Sequence, residues 1–285
     1  MEEIFLFVLA LIWIVFASVQ DLKTREVANW LTFSLIAFAL AYRGFFTLLY
    51  DDMWFFLFGL LGFGLFFCLA HAFYYGRVFA GGDAKLLMGV GAVLPFHSFN
   101  DYFILTLVFL LSLFFVGALY SVAYSAIASV RYRDRFVPAF AKSWKSYSFL
   151  WLAPVLLSLL LFFVKTSLEG WLVLSAFFFF LPLAFIYLKA FEQGCLVTYL
   201  SPEKLTAGDW LERDVRVAGK VLKNNVHGLS LKEIAFLRKH HKKVWIKQGI
   251  PFVPAFFIAF AIMVSFEIFA PEAIQDWILS LFSLF

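Results

Sequence analysis

The chain has 285 residues, 64% of them hydrophobic and only 15% charged, with a formal net charge of +4 and a mean hydropathy of +0.90. A soluble globular domain is about half apolar and one quarter charged, so this composition excludes a soluble enzyme and points to an integral membrane protein. Cys68 and Cys195 stand far apart with no CxxC spacing, which argues against a disulfide framework and against a zinc site.

The first apolar run, about 4–20, follows Met1, Glu2 and Glu3, an acidic start where a secretory signal would carry positive charge, so it reads as a retained helix. Further runs lie at about 30–50, 53–75, 84–96, 102–130, 149–164, 171–191 and 249–270. At about 20 residues per crossing they predict an all-α fold, a polytopic membrane helix bundle of about six to eight spans. The fourth run is the shortest: 13 residues cover about 20 Å at 1.5 Å per residue, against a hydrocarbon core of about 30 Å.

Lys and Arg orient the bundle. With the N-terminus outside, 21 of the 23 basic residues fall on the inner face, including Lys23, Arg25, Arg77 and Lys85, and only Arg43 and Lys165 lie elsewhere. That asymmetry predicts a multi-pass cell-membrane protein with its basic loops inside. Trp30 and Trp151 then mark the inner interface, Trp54 and Trp171 the outer one. The basic stretch 131–145 is expected to meet anionic lipid headgroups. Arg43, inside the second run, is expected to snorkel outward or pair with Asp51 or Asp52. His71 and Glu267 read as bundle residues.

The domain organisation expected is a bundle over 1–191, a small basic cytoplasmic domain over 192–248, and a last membrane helix with an interfacial tail over 249–285. Within the small domain, Ser230 and Glu233 form a capping box that opens a helix over LKEIAFLRKH. A turn at Asn225 to Gly228 precedes it, and Val215 to Val221 alternates as a short strand should. His240 and His241 adjoin lysines, but no base-reading motif accompanies them and no nucleic-acid partner is expected. The pentapeptide Phe-Val-Pro-Ala-Phe occurs at 136–140 and at 252–256, without the flanking similarity that an internal repeat requires.

Two acidic positions carry the chemistry. Asp21 lies in FASVQDLKTREVANW and Asp83 in FAGGDAKLL, each at the edge of an apolar run and, in the topology above, on the same membrane face. Both residues are also explained as helix caps, at comparable weight before topology is considered. Brought together, two carboxylates cannot both ionise easily, and the protonated and ionised forms make an aspartic protease dyad that needs no metal and no cofactor. Gly81 and Gly82 would let a substrate backbone approach closely. The dipole at the start of the short fourth helix favours the ionised form of Asp83.

The segments Asp21-Leu-Lys-Thr-Arg-Glu-Val-Ala-Asn-Trp30 and Gly81-Gly82-Asp83-Ala84-Lys85-Leu86 resemble the two aspartate motifs of the type IV prepilin peptidases, including the archaeal prepilin and preflagellin peptidases. The Gly249 to Phe256 stretch resembles the archaeal branch as well. The resemblance implies Asp21 and Asp83 as catalytic residues, with Gly81, Gly82, Lys23, Arg25 and Lys85 shaping the substrate site. It implies a prepilin-like or archaellin precursor as substrate, cut behind a short basic leader at the cytoplasmic face. Acidic groups such as Asp21, Glu26 and the dyad itself, and more weakly Asp209, Glu212 and Asp214, are expected to hold that leader. The family's second motif is GxGD, and Ala80 takes its first glycine position here. The paired CxxC motifs of the bifunctional members are missing, which implies cleavage without N-methylation. Other readings are a different GxGD-type intramembrane aspartyl protease, a proton-coupled transporter with intramembrane carboxylates, or a non-enzymatic membrane partner of a filament assembly machine acting through 192–248.

Overall fold

The structure, a computed structural model, describes residues 2–163, 167–225 and 227–269. The segment 272–285, expected at the outer interface, lies outside the described residues, as does Lys165. The fold is a helical membrane bundle with a small sheet region. By length and composition, six described helices can cross a membrane: Glu3–Thr24, Asn29–Tyr50, Met53–Tyr75, Phe99–Arg131, Arg133–Leu161 and Leu168–Leu196. They account for six of the eight apolar runs. The other two form shorter helices, of 13 residues at Gly81–Val93 and 17 at Val253–Phe269.

The chain forms two compact units, one running to Val122 and resuming at Gly249, the other Ala123–Gln248. In the first unit, α1 (Glu2–Thr24), α2 (Asn29–Tyr50), α3 (Met53–Tyr75), α4 (Gly81–Val93), the beginning of α5 (Phe99–Arg131) and α10 (Val253–Phe269) share one apolar core. Leu6, Ile14, Leu35, Phe66, Leu87, Phe109 and Phe260 are fully enclosed in it. Asp51 and Asp52 make the α2–α3 turn. Asp51 sits in the left-handed region at φ 59° with its N–H on the Thr47 carbonyl, and Asp52 caps α3 by accepting from Trp54 and Phe55 N–H.

Close backbone contact joins α3 to α4. A Cβ on Gly62 would lie 2.3 Å from the Gly91 carbonyl oxygen, and one on Gly91 would lie 2.6 Å from that of Gly62. Small residues at such a crossing let backbones approach where lipid offers no hydrophobic drive to association.

Between α4 and α5, His97 bonds the Glu3 carboxylate and so ties this connection to the start of α1. That bond raises His97 above its ordinary value of 6.5, with Asp101 assisting and partial burial and Arg43 opposing. A folded-state value above the unfolded one means stability fully present below about pH 6.5 and lost as the pH rises through the folded value. We expect His97→Gln to lower the melting temperature in detergent more at pH 6 than at pH 9. An equal loss at both would show that the charged pair contributes nothing.

In the second unit, α6 (Arg133–Tyr147) and α7 (Leu152–Phe163) pack against α8 (Leu168–Phe191). Tyr187 donates to Ser125 at 3.1 Å and lies 3.3 Å from the Ser129 hydroxyl, which satisfies these polar groups between α5 and α8. A π-turn over Glu192–Leu196 leads into β1 (Val197–Leu200), which pairs with β5 (Val244–Lys247), and β5 with β2 (Trp210–Leu211), all antiparallel. The single strand expected at Val215 to Val221 is a hairpin of β3 (Val215–Val217) and β4 (Lys220–Leu222). Ala218 and Gly219 turn it at φ 45° and 81°, the pair of positive angles that suits the twist of a two-residue loop.

The capping box is formed: Ser230 accepts from Glu233 N–H and Glu233 reaches back to Ser230 N–H, opening α9 (Leu231–Lys239). Leu205, Leu211, Leu222, Ile234, Leu237, Val244 and Ile246 fill a separate small core beneath the sheet.

Candidate active site

Asp21 sits in the last turns of α1, 6% exposed, and Asp83 in the first turn of α4, 8% exposed. α1 packs against α4 and the Asp21 charge acts on Asp83, so the fold brings near one another two carboxylates that lie 62 positions apart in the sequence.

Each carboxylate also caps a helix. Asp83, three positions into α4, accepts from the N–H of Ala80, the residue before the helix. Asp21 Oδ2 accepts from Val253 N–H at 3.0 Å, with Phe252 N–H a second donor, at the start of α10. Sequence chemistry explains the arrangement at α10. Pro251 and Pro254 have no N–H, and Ala255 N–H is bonded to the Phe252 carbonyl at 2.9 Å, so the free donors of that first turn go to Asp21. Asp21 therefore has two backbone donors and the Arg25 charge nearby, and Asp83 one donor.

The two motifs are held by short-range contacts. Gln20 Oε1 accepts from Ala28 N–H at 3.1 Å, and Arg25, in the left-handed region at φ 58°, closes the end of α1 with its N–H on the Asp21 carbonyl at 2.8 Å. The Arg25 side chain donates to the Gly249 carbonyl at 3.3 Å. Lys85 donates to Asn29 Oδ1 at 2.6 Å, linking α4 to the first residue of α2. Lys23 is exposed on the end of α1.

A Cβ on Gly82 would touch Val27 at 3.4 Å, whereas one on Gly81 would find only Tyr74 at 3.7 Å, so the open side of the turn lies at Gly81. Ala80 has φ −71° and ψ 165°, an extended conformation that any residue adopts, so alanine in this position strains nothing. Phe79, 3% exposed, packs its ring in tilted contact with those of Phe252 and Phe256, each at a centroid distance of 5.7 Å. The start of α10 thus touches both aspartate segments.

Arg43 corrects an expectation. It neither snorkels nor meets Asp51 or Asp52. It is fully buried, and its guanidinium donates to the carbonyls of Phe55, Ala92, Val93 and Leu94. The Asp52 carboxylate is committed to capping α3, and the buried end of α4 offers the carbonyls of Ala92, Val93 and Leu94, the last also accepting from Phe96 N–H at 3.0 Å. The signal available in the sequence was the isolation of one arginine in an apolar run facing a helix too short to reach water. Asp209 accepts from Thr206 N–H in its own loop at 2.9 Å, and Asp214 accepts from Asn224 N–H across the base of the β3–β4 hairpin at 2.7 Å.

The preflagellin peptidase of Methanocaldococcus jannaschii is 35% identical over 89 residues, 31% of this chain and 38% of the relative. The chain thus spans 38% of the length of the curated relative it matches. The family model for the type IV leader peptidases matches residues 8–122, ending where the first stretch of the aspartate-bearing unit ends. Both Asp21 and Asp83 lie within the residues that match this family model.

Proposed function

We propose that the protein is a membrane aspartic endopeptidase that removes the short basic leader from prepilin-like or archaellin precursors at the cytoplasmic face. The observation that carries this reading is the pairing of Asp21 and Asp83, within interacting distance, inside a leader peptidase segment. The relative named above is a preflagellin peptidase, which favours a substrate of that kind.

In the mechanism, Asp21, with two backbone donors and the Arg25 charge nearby, is the ionised partner, and Asp83, with one donor, holds the proton against the pull of the α4 dipole expected from the sequence. Asp21 takes a proton from a water as its oxygen attacks the scissile carbonyl carbon, while Asp83 gives its proton to the carbonyl oxygen. The tetrahedral intermediate collapses: the C–N bond breaks, the proton on Asp21 passes to the leaving amine, and a hydroxyl proton of the former intermediate returns to Asp83. The leader ends in a new carboxylate and the mature subunit in a new amine. Gly81 gives the substrate backbone access, Arg25 and Lys85 hold the loop edges, and Glu26 with the ionised partner attracts the basic leader. Nothing in this scheme transfers a methyl group. The basic loops, including the small domain, face the cytoplasm, with the N-terminus outside.

Co-expression with a panel of tagged precursors tests the reading through a size shift. A leader-bearing pilin or archaellin precursor should be shortened and a leaderless control should not. Absence of cleavage across the whole panel would reject it.

A further inference from the structure

The helix that carries Asp83 ends inside the bundle. Ala92, Val93 and Leu94 at its carbonyl end are fully buried, and the last carbonyls of a helix have no partner of their own. Where water is excluded, those groups must be satisfied by the protein. Arg43 does this with a planar fork: Nε donates to Ala92 at 3.0 Å, and Nη2 to Leu94 at 2.6 Å and Val93 at 3.3 Å. Nη1 donates to Phe55 on α3 at 2.8 Å, and the guanidinium lies 4.6 Å from the Phe55 ring centroid.

Room for this side chain exists because residue 59 is glycine: a Cβ there would stand 2.2 Å from Arg43 Cδ. The same helix, α2, holds the other end of α4 through Asn29 and Lys85, two residues beyond Asp83. One helix therefore grips α4 at both ends.

We propose that Arg43 is a positioning residue for Asp83, fixing the axial place of α4 so that the carboxylate at its beginning stands opposite Asp21. The activity side of this proposal rests on the leader peptidase reading. Lysine should replace it poorly, because a single ammonium cannot match four fixed carbonyls as a guanidinium fork does.

The test uses the full chain in membranes with a tagged precursor. A probe thiol is introduced by Gly81→Cys, with Cys68→Ala and Cys195→Ala, and its rate of maleimide modification is measured in solubilised protein. Arg43→Lys and Arg43→Met should lower kcat about tenfold or more with KM changed less than about twofold, and should change the thiol rate at least about threefold. Gly59→Ala, which keeps the arginine but displaces it, should produce the same two changes and add little in the Arg43→Met background. If Arg43→Met does not accumulate, Arg43→Lys and Gly59→Ala decide.

Inserted, folded variants with unchanged kcat and unchanged thiol rate would overturn the proposal. The thiol rate does not depend on turnover, so a failure of the dyad reading, seen as cleavage by Asp83→Asn, leaves this arm to decide Arg43 by itself.

Discussion

Asp21→Asn and Asp83→Asn are each expected to reduce precursor cleavage by about 10²–10⁴-fold, the usual loss when a positioned acid or base is removed. Asparagine is the substitution that separates the two roles of these residues. Its side-chain oxygen still accepts hydrogen bonds and it caps helices about as well as aspartate, so Asn at 21 can keep the donors Phe252 and Val253, and Asn at 83 can keep Ala80. A chain in which the aspartates only cap helices would then retain its activity and its melting temperature. A chain in which they form a dyad keeps the melting temperature and loses the activity. Asp21→Ala, which removes the cap as well, should cost about 0.5–2 kcal/mol of stability in addition. The measurements are the rate of precursor conversion in isolated membranes and thermal unfolding in detergent for the same preparations. Wild-type conversion by either Asn variant would end the assignment.

Gly62→Leu and Gly91→Leu are expected to have the largest effects among substitutions remote from the dyad. Each glycine meets the other's carbonyl oxygen at a separation no Cβ tolerates, and the obstacle is backbone, which cannot rotate out of the way as a side-chain end can. The helices must separate, at a cost of about 1–3 kcal/mol or more for overpacking. Because α4 carries Asp83, separation also displaces the dyad, so cleavage should fall further than the loss of folded protein accounts for. Gly64 is the internal control: on the same helix, a Cβ there would meet nothing within 4 Å. Gly64→Ala should leave cleavage unchanged and be neutral or stabilising by up to about 1 kcal/mol, because alanine loses less backbone freedom in a helix. Equal effects of Gly62→Leu and Gly64→Leu on folded yield and on cleavage would mean that the close crossing does not position the site.

Much of this protein was legible in the chain because the relevant signals are local. A turn of helix or a capping box is specified within a few residues, which is why Ser230 and Glu233 announced α9. The strand at Val215 to Val221 was visible as alternation, but its division into a hairpin depends on Ala218 and Gly219 adopting positive φ, which alternation does not report. The aspartate motifs were visible by their residues, and Ala80 looked like a departure from the family pattern. Its extended backbone explains why the departure is harmless at the level of conformation. Arg43 was placed correctly in its run and given the wrong partner, because a buried arginine's acceptors are carbonyls of other helices and leave no mark in the sequence around it.

By itself the sequence determined the membrane class, the order of the apolar runs, the shortness of the helix bearing Asp83 and the two acidic motifs, since composition, run length and spacing follow from covalent order. Only the tertiary structure decided that Asp21 and Val253, 232 positions apart, share a hydrogen bond, that Gly62 and Gly91 touch, and that Arg43 closes α4. These contacts depend on which helix faces pack together, a choice made by mutual fit and by the need to satisfy polar groups out of reach of water.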